Sequence, residues 1–249
     1  MDNSFEKRIN ELSFRTEQRC YANFTAFLTC EEKAFAASMA CVKSSNCMFF
    51  GGFAEAERTI LGFFPDYTEN GQMSENFPIK LLQISGSGYR KLNHRDFLGS
   101  ILSSGVKREF IGDIICSKDG YDGYVFVHES ICDYILGTLD KVANDKVKVK
   151  LLSLTDLPYT EKDFKSIVDV VASLRLDGIV CGCINVSREQ CNRLVAQGLV
   201  SVNHTVCTKK DKQISVGDLI SIKGSGRFLL NESVLNKKGK YRIEILKYL

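Results

Sequence analysis

The sequence has no tryptophan, only three prolines and no long hydrophobic run in its 249 residues. The scarcity of proline excludes collagen-like chains and proline-rich disordered chains. No apolar run approaches the roughly 18–20 residues that a membrane-spanning helix needs. The polar and acidic N-terminus, residues 1–6, predicts that there is no signal peptide. The ten cysteines are therefore expected to remain thiols in a reducing cytoplasm.

The net charge of +3 is small, but the two signs are unevenly distributed along the chain. From Val171 to the C-terminus, thirteen basic residues accompany six acidic ones, so this tail carries +7 and residues 1–170 carry −4. Lys and Arg clusters gain free energy by displacing counterions from phosphates. The tail therefore favours binding to a polyanion, with chance clustering on a solvated surface as the alternative.

The order of hydrophobic runs and turn residues predicts an α+β fold. Within its first part we expect an amphipathic helix over 4–19 and strands at 47–50 and 59–64. The expected parts are an N-terminal α/β region (1–76), a middle domain (77–157), a linker helix (158–171) and a small C-terminal α/β domain (172–249).

The middle domain shows the order β-α-β-β-α-β, which predicts a ferredoxin-like, RNA-recognition-like fold. Many proteins with this topology do not bind RNA. Residues 123–127 are similar to the aromatic strand on which RNA-recognition domains stack bases, but no basic residue precedes them. We therefore favour Tyr124 and Phe126 as ordinary strand residues over a stacking role. The predicted strands are 79–84, 111–116, 124–127 and 147–152, and the predicted helices are 94–103, capped by Asn93, and 129–139.

The tail contains several spaced elements in a recognisable order. Ser187 and Gln190 fit a capping box at the start of a helix that Gly198 ends. The remaining elements are Arg175-Leu176-Asp177, Ser187-Arg188, the hairpin Val200-Ser201-Val202-Asn203 and Gly217-Asp218. Together, over about 174–227, they resemble the small RNA-binding domain named after ribosomal small-subunit protein S-four. Asn203-His204 departs from the usual hairpin turn, so the geometry of that turn is left open.

A helix N-terminus with free amides beside Arg175 and Arg188 suits phosphate binding. For Ser187, capping alone is an equally good interpretation, and Asp177 fits a pairing with a nearby arginine. The residues predicted to contact RNA in the tail are Arg175, Ser187, Arg188, Arg193, Lys209, Lys223 and Arg227.

A second basic cluster lies in the middle domain, where Arg95, Lys107 and Arg108 join His94 around a helix and its following loop. These residues are predicted to extend the RNA footprint. A capping and ion-pair arrangement of Arg95 and Asp96 is the equal alternative.

Nearly the whole chain is similar to the bacterial YlmH family. The resemblance is carried by FFGGFAEAER at 49–58, HRDFLG at 94–99, GVKR at 105–108 and IGDI at 111–114, together with the tail. It implies a ribosome-associated protein that binds rRNA or tRNA, works at the large subunit and takes part in rescue of stalled nascent chains. A link to cell division is also known in this family.

Catalysis has weaker support in the sequence. Arg175-Leu176-Asp177 also occurs around the catalytic aspartate of pseudouridine synthases, but only 72 residues follow Asp177, too few for their catalytic domain. The glycines at 86 and 88 and at 224 and 226 lack the third glycine of a dinucleotide-binding loop. Cys181, Cys183 and Cys191 lack paired Cys-x-x-Cys spacing and are expected to be buried thiols rather than metal ligands.

We therefore expect a cytoplasmic RNA-binding protein that is not an enzyme, with no metal, no small-molecule cofactor and no membrane association. Two alternatives from other classes remain open. One is an RNA-modifying enzyme of the pseudouridine synthase or methyltransferase type, with the tail as its docking module. The other is a protein-interaction adaptor linked to cell division.

Overall fold

The computed structural model describes residues 3–158, 164–203, 205–236 and 239–248. The chain divides into two compact units, an N-terminal unit over 1–160 and a C-terminal unit over 161–249. Both units combine helices with antiparallel sheets, as the α+β prediction requires. Among the described residues, no helix has both the length and the hydrophobicity to cross a bilayer.

The first part of the N-terminal unit is a small helical layer on a three-stranded antiparallel sheet in the order β1-β3-β2. The predicted helix and both predicted strands are confirmed, and α1 buries Ile9 and Thr16 as its spacing requires. The elements are α1 (Asn3–Arg19), β1 (Asn23–Phe24), α2 (Cys30–Ser38), α3 (Ala40–Ser44), β2 (Cys47–Phe50), β3 (Ile60–Phe63) and α4 (Asn70–Met73).

The middle of the chain forms a four-stranded antiparallel sheet in the order β5-β6-β4-β9. The predicted order β-α-β-β-α-β is confirmed, and Asn93 caps α5 in a capping box with Asp96. A short hairpin, β7–β8, is additional. The elements are β4 (Ile79–Ser85), α5 (His94–Ser103), β5 (Ile111–Cys116), β6 (Asp122–His128), α6 (Glu129–Thr138), β7 (Lys141–Val142), β8 (Asp145–Lys146) and β9 (Lys148–Leu152).

Both faces of this middle sheet are buried. On one face, Val125 and its neighbours pack against Phe97 and Cys132 of the two helices. On the other face, Leu81 and Phe126 pack against residues of the N-terminal part such as Phe27. Hydrophobic side chains on two faces of a sheet need a cover on each side. For that reason the predicted boundary near residue 76 does not separate two compact units.

The segment 49–58 joins the two parts of this unit. The guanidinium of Arg58 donates to the carbonyls of Phe27 and Ile111, both at 3.0 Å. The carboxylate of Asp113 accepts the N–H groups of Glu57 at 2.6 Å and Arg58 at 3.2 Å. Gly52 has φ +99°, and a Cβ atom there would lie 2.3 Å from the ring of Phe126. This segment, which carries part of the family resemblance, therefore holds the two parts of the unit together.

The C-terminal unit is a six-stranded antiparallel sheet in the order β10-β15-β14-β13-β11-β12, with two helices on one face. Its core includes Leu176, Cys191, Phe228 and Ile245, all fully buried. The elements are β10 (Phe164–Val171), α7 (Leu176–Ile184), α8 (Arg188–Ala196), β11 (Val200–Val202), β12 (Thr205–Val206), β13 (Leu219–Ile222), β14 (Gly226–Leu235) and β15 (Tyr241–Tyr248).

The predicted linker helix over 158–171 is wrong for residues 164–171, which form β10; residues 159–163 lie outside the described residues. β10 pairs with β15 along its whole length, from Phe164 opposite Tyr248 to Val171 opposite Tyr241. Its β-branched residues favour an extended chain, and a strand 70 residues later supplies the partner. β15 and most of β14 were not predicted from the sequence.

Candidate nucleic-acid interface

A sharp turn joins α7 to α8 in the C-terminal unit. Asn185 adopts a left-handed conformation, φ 51°, which ends α7 and redirects the chain. The hydroxyl of Ser187 then accepts the N–H of Gln190 at 3.3 Å, which is the half of the predicted capping box that the structure shows. The first-turn N–H groups of α8 that have no partner within the helix belong to the same helix end as Arg188, an arrangement that suits an anion.

A buried carboxylate holds two of the predicted arginines. Asp177 is 2% exposed, and its Oδ1 lies 3.2 Å from Nε of Arg175 while its Oδ2 lies 3.3 Å from the guanidinium of Arg188. The pairing of Asp177 with a nearby arginine is therefore confirmed, and it involves two arginines. The side chain of Arg188 remains 70% exposed, so its unused N–H donors are available to a ligand.

The basic loop at 209–212 is hydrogen-bonded to the start of α7. The carbonyl of Lys210 accepts the N–H of Asp177 at 3.0 Å, and the carbonyl of Lys212 accepts the N–H of Leu176 at 2.8 Å. Lys209, Lys210 and Lys212 are all exposed. Of these three lysines only Lys209 was predicted to contact RNA, because the sequence does not reveal which backbone the loop contacts.

The other predicted residues of this unit are more dispersed. Arg193 is on α8 and pairs with Glu189 at 2.6 Å, one turn earlier. Lys223 is exposed in the turn between β13 and β14. Arg227 lies over the ring of Tyr248, and strand alternation with the buried Phe228 directs it to the sheet face away from the helices. The structure thus brings together Arg175, Ser187, Arg188 and Lys209.

The basic cluster of the middle domain is divided by burial. Arg95 and Lys107 are exposed, whereas the guanidinium of Arg108 donates to the carbonyls of Ile111 and Gly112. Burial and the neighbouring positive charge of Arg58 lower the pKa of Arg108 to about 10. The donors of Arg108 are therefore used inside the unit.

The capping and ion-pair arrangement that was the alternative for Arg95 and Asp96 is present, but its arginine is a different one. Its carboxylate accepts the N–H of Asn93 at 3.0 Å, which completes the cap of α5. The arginine near this carboxylate is Arg90, at 3.7 Å, where Arg95 was predicted.

Base stacking on the middle sheet is excluded by packing. Tyr124 is 7% exposed and Phe126 is fully buried, and the ring of Phe53 stacks on Phe126 with centroids 4.9 Å apart. The interpretation of both as ordinary strand residues is confirmed. The face that RNA-recognition domains present to bases is here covered by the N-terminal part of the chain.

Of the three tail cysteines that were predicted to be buried thiols, Cys181 is only partly buried and packs against the core. Cys183 and Cys191 are buried, and burial raises the pKa of Cys191 to about 12, where its thiol is unreactive. Within the described ranges, no group of His, Cys, Asp and Glu side chains has an arrangement that could hold a metal ion.

A cavity of about 250 Å³ opens in the N-terminal unit, lined in part by Arg8, Glu32, Arg58 and Arg108. It is smaller than the roughly 300–1,000 Å³ of most small-molecule sites. Two of its arginines, Arg58 and Arg108, donate to the backbone carbonyl of Ile111.

Two family models match the chain. The model described as "Putative RNA-binding domain in YlmH" covers residues 73–156, and the S4 domain model covers residues 175–220. The second range contains Arg175, Asp177, Arg188 and the basic loop. The first description names RNA binding, and the second names the S4 domain alone.

One curated protein is similar over almost the whole chain. "Ribosome-associated protein quality control protein P2" of Bacillus subtilis (strain 168) is 28% identical over 239 residues, which cover 95% of this chain and 89% of that protein. Among solved structures, "Cell division protein ylmH from Streptococcus pneumoniae" matches with a TM-score of 0.52 at 20% identity. It covers 63% of this chain and 93% of that one, and it shows a shared fold.

Proposed function

This chain is a YlmH-family protein with a C-terminal S4 domain, and from that premise we propose that it docks on structured rRNA or tRNA at the ribosome. The protein acts by binding and holding an RNA rather than by changing it chemically. We extend the proposal to the large ribosomal subunit, to rescue of stalled nascent chains and to the cytoplasm. The printed name of the Bacillus relative supports this extension as far as ribosome-associated quality control.

The observation that carries the proposal is the cluster at the start of α7 and α8. Arg188 is exposed yet oriented by Asp177, and the lysine loop is hydrogen-bonded to the same end of α7. An oriented guanidinium loses less side-chain entropy when it binds phosphate. The cluster combines five basic with two acidic residues: Arg175, Arg188, Lys209, Lys210 and Lys212 with Asp177 and Asp211.

The way in which such a cluster recognises RNA follows from its chemistry. Guanidinium and ammonium groups beside a helix N-terminus contact phosphate oxygens, and these contacts position a protein without reading base sequence. Double-helical RNA is recognised chiefly through its shape and backbone. We therefore expect the C-terminal unit to prefer folded RNA over a particular base sequence.

Salt-dependent binding of the full chain to purified large ribosomal subunits and to their rRNA tests the proposal. We expect affinity to fall steeply with ionic strength, and Arg188→Ala to reduce the slope of log K against log salt by about 1. Arg15→Ala is the control. Arg15 is an exposed arginine of α1 that pairs with Glu11, one turn earlier in the same helix. Affinity that ignores salt, or equal effects of the two substitutions, would refute the proposal.

A further inference from the structure

Tyr89 has the most exposed aromatic side chain among the described residues, with 96% of its surface accessible. It lies in the loop at 86–92, between β4 and α5 of the middle domain. Single exposed aromatic residues are common on protein surfaces, so the surroundings of this ring, and not its exposure alone, indicate what it binds. The ring is absent from the hydrophobic clusters of this unit and is therefore open to a ligand.

The loop is held at several points below this ring. The N–H of Gly86 donates to the carbonyl of Tyr121 at 2.8 Å, and the N–H of Leu92 donates to the carbonyl of Gly120 at 2.7 Å. Asp145 accepts both the N–H of Ser87, at 2.9 Å, and its hydroxyl. These bonds hold the base of the loop while Tyr89 projects from it, so the backbone that carries the ring is already ordered when a ligand arrives.

Basic side chains surround the loop at this end of the sheet. Arg90 and Lys91 directly follow Tyr89, and Lys148 lies on β9 opposite Ser85 at the end of β4. Three nearby acids, Asp96, Asp119 and Asp145, accept hydrogen bonds within the loops and the cap of α5, and Asp96 also lies 3.7 Å from Arg90. The basic residues are Arg90, Lys91, Arg95, Lys118, Lys146 and Lys148, and the acidic ones are Asp96, Asp119, Asp122, Asp140 and Asp145.

We propose that Tyr89 stacks on an unpaired base of the bound RNA while its basic neighbours hold the adjoining phosphates. This inference rests on the proposed RNA-docking function and assigns a binding residue to the middle domain. The sheet face on which related folds stack bases is buried here, so the exposed ring of the loop takes its place. Stacking on tyrosine tolerates any base, because every base presents a π-face. The partner is therefore an RNA loop, bulge or single-stranded end.

The test uses the full chain and a stem–loop RNA with one 2-aminopurine in its unpaired loop. A fully paired RNA with the same stem is the second probe. Stacking on Tyr89 should quench the 2-aminopurine fluorescence. Tyr89→Ala should abolish this quenching and weaken binding of the stem–loop about tenfold, with little effect on the paired RNA. Tyr89→Phe keeps the ring and should retain both the quenching and the affinity.

Two further variants make the outcomes distinguishable. Tyr67→Ala removes another exposed ring, 75% accessible, and should behave like the wild type. Arg188→Ala should weaken binding of both RNAs without changing the quenching in the bound state. If Tyr89→Ala matches the wild type while Arg188→Ala still weakens binding, stacking is refuted and the docking proposal stands. If the wild type binds neither probe nor ribosomal subunits, the docking proposal itself fails.

Discussion

The guanidinium of Arg188 lies 3.3 Å from the buried carboxylate of Asp177, across the turn that joins α7 to α8. The same carboxylate holds Arg175 and accepts the N–H of Gly178 at 3.0 Å. Asp177 therefore organises the start of α7, whereas Arg188 reaches from it towards solvent. The two residues form one contact, but we assign them different roles, one in stability and one in binding.

Substitution separates these roles. Asp177→Ala should lower the free energy of unfolding by about 1–3 kcal/mol, because it leaves a backbone N–H and two guanidinium groups without their acceptor. Arg188→Ala should lower it by less than about 1 kcal/mol, since that side chain is 70% exposed. Urea denaturation of both variants measures the difference. Equal losses of stability would contradict the division of roles.

The close approach of Gly52 to the ring of Phe126 leads to a prediction for the stability of the N-terminal unit. Gly52→Ala should destabilise the protein by about 2–4 kcal/mol, because the added Cβ meets the Phe126 ring and alanine is strained at φ +99°. Gly99→Ala is the control, since a Cβ at this site in α5 would meet no heavy atom within 4 Å apart from its chain neighbours and the helix's own backbone. There alanine should stabilise the helix by about 0.5–1 kcal/mol. Thermal melting should show a lower melting temperature for Gly52→Ala and a higher one for Gly99→Ala.

Asp113 should be essential for joining the two parts of the same unit. Burial raises the pKa of this carboxyl, yet its two backbone hydrogen bonds, to Glu57 and Arg58, favour the charged form. Asp113→Ala leaves both amides without their acceptor and should cost about 1–3 kcal/mol. Asp133→Ala, at an exposed position on α6, should stay within about 0.5 kcal/mol of the wild type. Similar urea midpoints for the two variants would show that Asp113 does not hold the two parts together.

His128 should make stability depend on pH near neutrality. Burial lowers its pKa below the ordinary value of 6.5, and its Nδ1 accepts the N–H of Ser130 at the start of α6. The unfolded chain then binds more protons than the folded one just below pH 6.5, so stability should fall as the pH falls through that value. His128→Asn keeps a helix-capping acceptor without titrating, and it should flatten the dependence between about pH 7.5 and 5.5. An unchanged slope of unfolding free energy in this variant would refute the assignment.

Local sequence patterns were sufficient to predict the helices and strands of the middle domain. Its six elements lie where the spacing predicts them, and Asn93 caps α5, because strand alternation, caps and turns depend on residues a few positions apart. The same reasoning failed for β10, whose pairing partner lies some 70 residues away in β15. Nothing near residues 164–171 indicates that partner, so a short segment rich in β-branched residues was misread as a helix.

The residues that we propose to bind RNA show the same division. The basic tail and the start of α8 were predictable from composition and spacing, and the S4 model matches that range. The contact between the lysine loop and α7 was not predictable, because it is made by backbone atoms that carry no sequence signal. Tyr89 was missed for a related reason, since exposure of a ring cannot be read from its neighbours in the chain.

The sequence by itself determined the element order of the middle domain and the positive charge of the tail, since both depend on residue types and short spacings. Tertiary structure alone decided which side chains remain available to a ligand. Arg108 and Arg188 are both arginines that the sequence assigned to RNA, yet Arg108 donates to buried carbonyls while Arg188 is exposed beside Asp177. The physical reason is that burial is set by distant segments that cover a side chain, as Phe53 covers Phe126.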